Sequence, residues 1–424
     1  MVKIFIILDG VGDRACKLLD GLTPLEAAKT PNLDYFASRG NGGYVYTVNE
    51  QLAPESDEAI MALLGYDPTK YYYGRGPLEA YGAGMEFKNG NLALRTNFAT
   101  VDNRLILDRR VGRTLTTKEA KELEKTINEK VKLDYDFEFR ATVGHRGVLV
   151  IKGGDFSDNI SNVDPAYKRV GRFGVAVNNN INNIEECRAL DPERKTKVSA
   201  NVINSFVKQC QEILKNHPVN NNRNKKYLLK ANAILVRDAG IILPELPKKT
   251  GWGAVVSMPL EVGIAKLSGM KVLKFDYPET TNKGLLDNLY KGLNETLAYS
   301  KIMIKKGNLS KYFIHFKELD VMGHDNNPIE KKKMIELIDK EFFGYLRKLD
   351  DVEFIVTGDH ACPCELRGHA SDAVPLLHYK KGVKRDTMRR FNESEAEDGY
   401  YKQLYGKDVL RKLGFENSIT EQEH

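Results

Sequence analysis

The 424-residue chain is 42% hydrophobic and 29% charged, the balance of an ordinary globular protein with room for roughly two or three domains. Its 64 basic and 58 acidic residues leave a formal charge of +6, a small surplus that suits an anionic metabolite at least as well as a nucleic acid and selects neither. No apolar run approaches the about 18 residues of a membrane helix, the run Ile4 to Leu8 stops too soon at Asp9 for a signal peptide, and five scattered cysteines read as reduced cytoplasmic thiols, not a disulfide framework.

The first predicted element is a buried strand, Ile4 to Leu8, running into Asp9-Gly10-Val11-Gly12-Asp13. It sets the Asp9 carboxylate on a glycine-rich turn at a strand's carboxyl end, a good position for a metal ligand. An isolated Asp-Gly is more often a plain turn or a cap, so Asp9 gains its weight only from Asp and His residues later in the chain. Ser56, in Ala53-Pro54-Glu55-Ser56-Asp57, stands just before the helical run Ile60 to Leu64, and spacing alone makes it that helix's N-cap. A hydroxyl at a helix N-terminus is also placed to meet an anion and, beside a metal, to attack phosphorus.

From about Asn91 to Ile242 the pattern turns strand-rich with longer loops, and the clusters Asn178 to Asn183 and Asn220 to Asn222 are expected as surface loops. We expect this stretch to be a second domain, residues 91–242, inserted into a first one formed by residues 1–90 and 243–424. Beyond it, Lys271 to Phe275, Tyr312 to Phe316 and Val352 to Thr357 read as parallel strands, and Leu285 to Leu297 and Lys331 to Leu349 as amphipathic crossover helices. The alternation predicts a doubly wound α/β sheet, a fold that gathers ligands at the carboxyl ends of its strands. The tail Asn417 to His424 is expected to fray.

Two of these strands deliver Asp and His where the first delivers Asp9. Tyr312 to Phe316 leads into Lys317-Glu318-Leu319-Asp320-Val321-Met322-Gly323-His324, and Val352 to Thr357 leads into Gly358-Asp359-His360, with His369 nine residues further on. Mixed carboxylate and imidazole donors suit Mn²⁺, Zn²⁺ or related ions better than the all-oxygen shell of Ca²⁺. One such histidine alone is usually structural; several converging on one sheet edge reverse that weighting. A competing local reading is a structural zinc site of His360, Cys362, Cys364 and His369, which leaves Asp9, Asp320, His324 and Asp359 without a role.

The chain carries Leu8-Asp9-Gly10-Val11-Gly12-Asp13-Arg14, Pro24-Leu25-Glu26-Ala27-Ala28, Thr30-Pro31-Asn32-Leu33-Asp34, Ser56-Asp57, Leu64-Gly65-Tyr66-Asp67-Pro68, Gly74-Arg75-Gly76-Pro77-Leu78-Glu79-Ala80, Asn97-Phe98-Ala99-Thr100-Val101-Asp102 and Asp359-His360. Taken together over nearly its whole length, these segments resemble the archaeal-type 2,3-bisphosphoglycerate-independent phosphoglycerate mutases of the alkaline phosphatase superfamily. The resemblance implies an alkaline-phosphatase-like doubly wound sheet with a smaller α+β domain inserted. It implies one ion on Asp320, His324 and His369 and another on Asp9, Ser56, Asp359 and His360. The implied cofactors are two divalent ions, Mn²⁺ first with Zn²⁺, Co²⁺ or Mg²⁺ as alternatives, and no 2,3-bisphosphoglycerate.

The implied reaction interconverts 3-phosphoglycerate and 2-phosphoglycerate through a phosphoserine on Ser56. Arg95, His145, Arg146 and Arg237 match the substrate-binding motifs, Asp164 the candidate acid/base, and Lys317 would face the reacting phosphate. Taken without the resemblance, Asp164 before Pro165 is a turn residue and Lys317 a solvated lysine at a strand end. The chain departs from the family at Glu318-Leu319 for Gly-Pro, Ala361-Cys362 for Ser-Thr, and Asp238 for Gly. The implied partner is phosphoglycerate, with neither nucleic acid nor membrane, and monomer and homo-oligomer both stay open. Two rival readings are a phosphatase, phosphonate hydrolase or kinase-like relative acting on another phosphoester, and a noncatalytic polyanion-binding protein.

Overall fold

The computed structural model describes residues 1–177, 182–275, 277–279 and 284–416. The tail Asn417 to His424 and the Asn178–Ile181 part of the first asparagine cluster lie outside them. Eight strands form one sheet, in the order Lys271–Val272, Trp252–Val255, Lys311–Phe316, Val2–Leu8, Val352–Thr357, Val374–Lys380, Asn41–Tyr46, Gln403–Tyr405. The four central-to-left strands from Trp252–Val255 to Val352–Thr357 are parallel, and Val374–Lys380 runs antiparallel to both its neighbours.

Side-chain alternation explains why Ile4 to Leu8 of the strand Val2–Leu8 are all apolar. Ile4, Ile6 and Leu8 face a core with Leu33, Phe36, Leu297, Ile314 and Phe354, while Phe5 and Ile7 face another with Ile60, Leu63, Ile264 and Phe313. Both faces are covered by helices, so neither parity of the strand can be polar. Each such fully buried side chain contributes about 1.5–3 kcal/mol. Register then fixes the edge: Leu8 pairs with Phe316 and Ile7 with Thr357. Asp9, Lys317 and Gly358 therefore leave the sheet side by side.

A second sheet is antiparallel and draws its strands from residues 92–240: Leu92–Asp102 pairs with Leu105–Asp108, Arg146–Lys152 and Ala233–Gly240, and Asp136–Ala141 joins Arg146–Lys152. The helices Thr117–Lys130 and Arg194–Lys215 share its separate apolar core. The helix Arg75–Gly82 packs between the sheets; a Cβ at Gly76 would come 2.2 Å from the Ala93 carbonyl, so only glycine permits that approach.

Several elements differ from expectation. The strand expected from Lys271 to Phe275 is paired only over Lys271–Val272. The helix expected from Lys331 to Leu349 begins at Pro328 and passes through a π turn, Asp339–Phe343. That turn aims Asp339 at the N-terminus of the helix Pro31–Ala37, where it accepts from Asn32 N at 3.1 Å and Leu33 N at 2.7 Å. Asn220 to Asn222 are not a surface loop: they lie in the helix Pro218–Lys225. Asn220 is buried there, bonding Leu214 O, Ala231 O and Ala231 N, so its amide replaces missing backbone partners. Among the described residues no helix is long and apolar enough to cross a membrane, and all five cysteines are free and buried.

Candidate two-metal active site

The three loops that leave the sheet edge meet at Gly10. Its backbone is left-handed, φ 63°, and a Cβ there would touch Asp320 Cα and Cys362 Cβ at 3.0 Å, so glycine is what lets the loops converge. Gly10 N and His360 N each donate to Asp359 Oδ1 at 3.0 Å, which leaves Asp359 Oδ2 free to face inward. Asp320 and His324 lie four residues apart on the helix Glu318–His324 and so share one face.

His324 Nδ1 sits 3.1 Å from Arg367 O and His369 Nδ1 2.9 Å from Pro54 O. Each ring thus donates through Nδ1, leaving Nε2 as the nitrogen that a metal would meet on displacing its proton. Their Nε2 atoms stand 3.5 and 3.3 Å from the two oxygens of Asp320. In the neighbouring group, His360 Nε2 lies 3.5 Å from Asp9 Oδ1, 3.4 Å from Asp359 Oδ2 and 3.4 Å from Ser56 Oγ. The His360 and His369 rings stack at 3.7 Å, joining the two groups.

These residues fit divalent cations. Asp9 Oδ1, Asp320 Oδ1, Asp359 Oδ2 and His369 Nε2 are buried and lack a hydrogen-bond partner, a costly condition that a cation would relieve. Electrostatics agree. Burial and the Lys317 charge would push His315 down, and burial would push His369 down; yet Asp9 and Glu261 raise the first to about 9, and Glu55 and Asp320 raise the second to about 10. The carboxylates here are strong enough to hold positive charge in a dry site.

Ser56 is not the helix cap. The helix Ser56–Leu63 takes Glu55 as its N-cap, whose N–H donates to Glu58 Oε1 at 2.9 Å, and Ser56 is the first helical residue. Its hydroxyl is thereby turned toward His360. Lys317 is not a solvated lysine either: its ammonium pairs with Glu261 and lies 3.4 Å from Asp9 Oδ2. Burial opposes its charge, but Glu261 and Asp9 outweigh that and raise its pKa.

Arg95, His145, Arg146 and Arg237 line one cavity with Ser56, Lys317, Asp9 and Asp320. Arg95 Nε, 3.8 Å from Glu79 Oε1, and Arg237 Nε are buried donors without a hydrogen-bond partner, on guanidinium forks suited to phosphate or carboxylate. Burial, with Arg146, Arg110 and Arg113 beside it, holds His145 well below its usual range, so it is neutral. Asp164 is placed differently. It is buried, accepts from Arg109 Nε at 2.9 Å and Ala166 N at 3.1 Å, and does not line the cavity.

The competing His-Cys-Cys-His zinc site does not form. Cys364 N donates to Asp13 Oδ1 and its sulfur faces Met322 O, outside the cluster; Cys362 alone lies near Asp320, His324 and His369. The departures from the family pattern also have local reasons. Asp238 adopts φ 57°, where glycine is favoured, and pairs with Arg237 at 3.2 Å. Glu318 is buried, accepting from Tyr277 OH at 2.8 Å and Lys317 N at 3.0 Å.

Sequence reasoning missed Glu55, Arg75, Arg110, Arg113, Glu261 and His315, all of which line or adjoin the cavity. His315 bridges Asp9 at 3.3 Å and Glu261 at 3.5 Å. A histidine within the apolar run Tyr312 to Phe316 was a readable signal; Glu261, in a helix start rich in apolar residues, gave none.

Comparison with known proteins accords with this geometry. A family model described as 2,3-bisphosphoglycerate-independent phosphoglycerate mutase matches residues 37–220, and one described as Metalloenzyme superfamily matches residues 263–416. A 2,3-bisphosphoglycerate-independent phosphoglycerate mutase of Thermococcus gammatolerans is 39% identical, over 96% of this chain and 95% of its own. One from Aeropyrum pernix is 39% identical over 93% and 94%. The solved cofactor-independent phosphoglycerate mutase of Thermoplasma acidophilum is 32% identical with a TM-score of 0.57, covering 98% of this chain and 99% of its own. A solved Pyrococcus horikoshii protein reaches a TM-score of 0.74 at 28% identity, covering 99% and 98%.

Proposed function

The chain belongs to the 2,3-bisphosphoglycerate-independent phosphoglycerate mutases and interconverts 3-phosphoglycerate and 2-phosphoglycerate, and from that premise we propose that Ser56 carries the phosphoryl group between the two positions. The observation that supports this most is the Ser56 hydroxyl, free of capping duty, at a helix N-terminus and 3.4 Å from His360 Nε2. One divalent ion would be held by Asp320, His324 and His369 and another by Asp9, Ser56, Asp359 and His360. When bound, the pair would lower the hydroxyl pKa and neutralise charge on the transferring phosphoryl group. Mn²⁺ suits these oxygen and nitrogen donors.

Ser56 Oγ gives up its proton and attacks phosphorus, the bond to the glycerate 3-oxygen breaks, and that oxygen takes a proton in exchange. Glycerate then turns and its 2-hydroxyl, giving up a proton, attacks the phosphoserine; the Ser56 Oγ–phosphorus bond breaks and Oγ takes a proton back. Arg95, Arg146 and Arg237 would hold the carboxylate and phosphate through this turn, with neutral His145 as a hydrogen-bonding partner. Lys317, fixed as a cation by Glu261 and Asp9, would face the phosphate. Asp164 would serve as acid/base only after Arg109 releases it. Residues 91–242 would act as an inserted substrate-binding domain that keeps water from the phosphoserine. The five free, buried thiols support a cytoplasmic setting, and no 2,3-bisphosphoglycerate is required by this route.

The test is turnover of 3-phosphoglycerate by metal-loaded protein without 2,3-bisphosphoglycerate, following 2-phosphoglycerate and free phosphate together. We expect 2-phosphoglycerate to dominate and chelation to abolish it. Free phosphate as the main product would favour a phosphatase instead.

A further inference from the structure

We propose that the Cys362 sulfur is a further donor to the Asp320, His324 and His369 site, making it a softer metal site than its neighbour and biasing it toward Zn²⁺ or Co²⁺ over Mn²⁺. The proposal rests on the two-metal reading of the cavity. Donor atoms of Asp320, His324, His369 and Cys362 all lie within 4.8 Å of one another, close enough to converge on one ion. Cys364, two residues on, is outside the group.

The seat of this sulfur is built. Cys362 N donates to Gly12 O at 2.9 Å and Cys362 O accepts from Lys331 Nζ at 3.0 Å, so the backbone is pinned on both sides. On the facing helix, Gly323 lies between Asp320 and His324. A Cβ at Gly323 would come 2.6 Å from the sulfur, so only glycine there lets Cys362 reach the donors. The sulfur's hydrogen bond to the Asp320 backbone oxygen, at 3.7 Å, is weak. His369 Nε2 and Asp320 Oδ1, both buried and without a hydrogen-bond partner, lie 3.3 Å from each other within this group.

Imidazole, carboxylate and thiolate together form a set that Zn²⁺ and Co²⁺ accept readily, whereas Mn²⁺ prefers oxygen and nitrogen. Coordination releases the thiol proton to solvent, adding one negative charge against the incoming dication. The neighbouring set of Asp9, Asp359, His360 and Ser56 holds no sulfur, so one chain would present two sites of different softness. Where the resembling family carries threonine, this chain would have traded an oxygen for a softer donor.

The test is titration of metal-free protein with Co²⁺, reading near-ultraviolet thiolate-to-cobalt absorption, in the wild type, Cys362→Ser and Cys364→Ser. We expect the absorption in the wild type, its loss in Cys362→Ser and its retention in Cys364→Ser. Competition should show the Zn²⁺ over Mn²⁺ preference falling roughly tenfold or more in Cys362→Ser. Should that variant fold poorly, Cys362→Thr gives the same readout at closer volume. A protein that binds Co²⁺ without the absorption, or a Cys362→Ser protein that keeps it, overturns the proposal and leaves the two-metal reading standing. Failure to bind Co²⁺ at all defeats both.

Discussion

At the scale of single residues, the cavity is a place where burial and charge are set against one another. Glu55 shows it: burial would raise its pKa, but His369, Arg237 and Arg75 hold it at about 2. Glu393 shows the opposite balance. Burial raises it to about 7, although it accepts from Thr23 Oγ1 at 2.8 Å and Asp13 N at 3.2 Å. A carboxyl with a raised folded pKa binds its proton more tightly folded than unfolded, so its stabilisation is complete below its ordinary value of 4.5 and is lost as pH rises to about 7. Glu393→Gln should therefore flatten the fall in melting temperature across that window and leave the variant the more stable protein above it. Thermal melts of both proteins over that range check this; parallel curves would contradict it.

Residues that met the eye in the sequence share one property. Asp9, Asp359 and His360 follow apolar strands at once and Asp320 within four residues, so the end of each run announced them, and His324 and His369 stood nearby, each next to a glycine. Glu55, Arg75 and Glu261 reach the cavity only through packing between distant segments, which no local pattern records. Ser56 was legible as a helix start, but its neighbour takes the cap and frees it, a difference of one position that spacing cannot resolve.

At the scale of elements, the helix Pro328–Ile338 holds the loops of the site through one ammonium. Lys331 is fully buried and donates to Asp13 Oδ2 at 2.7 Å, Gly12 O at 3.3 Å and Cys362 O at 3.0 Å. Burial works against its charge, and Asp13 restores and raises it. Lys331→Met should strand the Asp13 carboxylate and cost about 3–5 kcal/mol, while adding Asp13→Asn should recover part of the loss. Urea denaturation of the two variants measures both; equal stability of single and double variants would contradict the clamp. The parallel strands Val2–Leu8, Lys311–Phe316 and Val352–Thr357 were readable because both their faces are buried, whereas the short parallel strand Trp252–Val255 was not. The strand Asn41–Tyr46 and the edge strand Gln403–Tyr405 beside it were not, since a glycine pair in the first and the short length of the second erase the pattern.

At the scale of the whole molecule, the Tyr167–Val170 and Phe173–Ala176 hairpin reaches from the 91–242 segment to the side that carries Ser56. Phe173 stacks on Tyr72 at 5.7 Å, Arg172 donates to Thr69 O at 3.0 Å and Tyr72 O at 3.2 Å, and Tyr167 covers the Arg237 guanidinium at 3.4 Å. If this arm helps exclude water, replacing Arg172 and Phe173 by Ala should raise the share of substrate lost as free phosphate while 2-phosphoglycerate formation falls; an unchanged product ratio would contradict it. The alternation of strands and helices made the first sheet foreseeable, but this arm joins two sheets through contacts that only the folded chain creates.

The central claim is that Ser56 carries the phosphoryl group. It is tested most directly by brief reaction of metal-loaded protein with 3-phosphoglycerate labelled in its phosphate, followed by a quench and peptide mapping of the wild type and Ser56→Ala. The label should appear on the peptide containing Ser56 in the wild type and be absent from the variant, whose mutase turnover should fall by several orders of magnitude with the fold intact. A wild type that turns over without labelled Ser56, or a Ser56→Ala protein with near-normal turnover, would contradict the account.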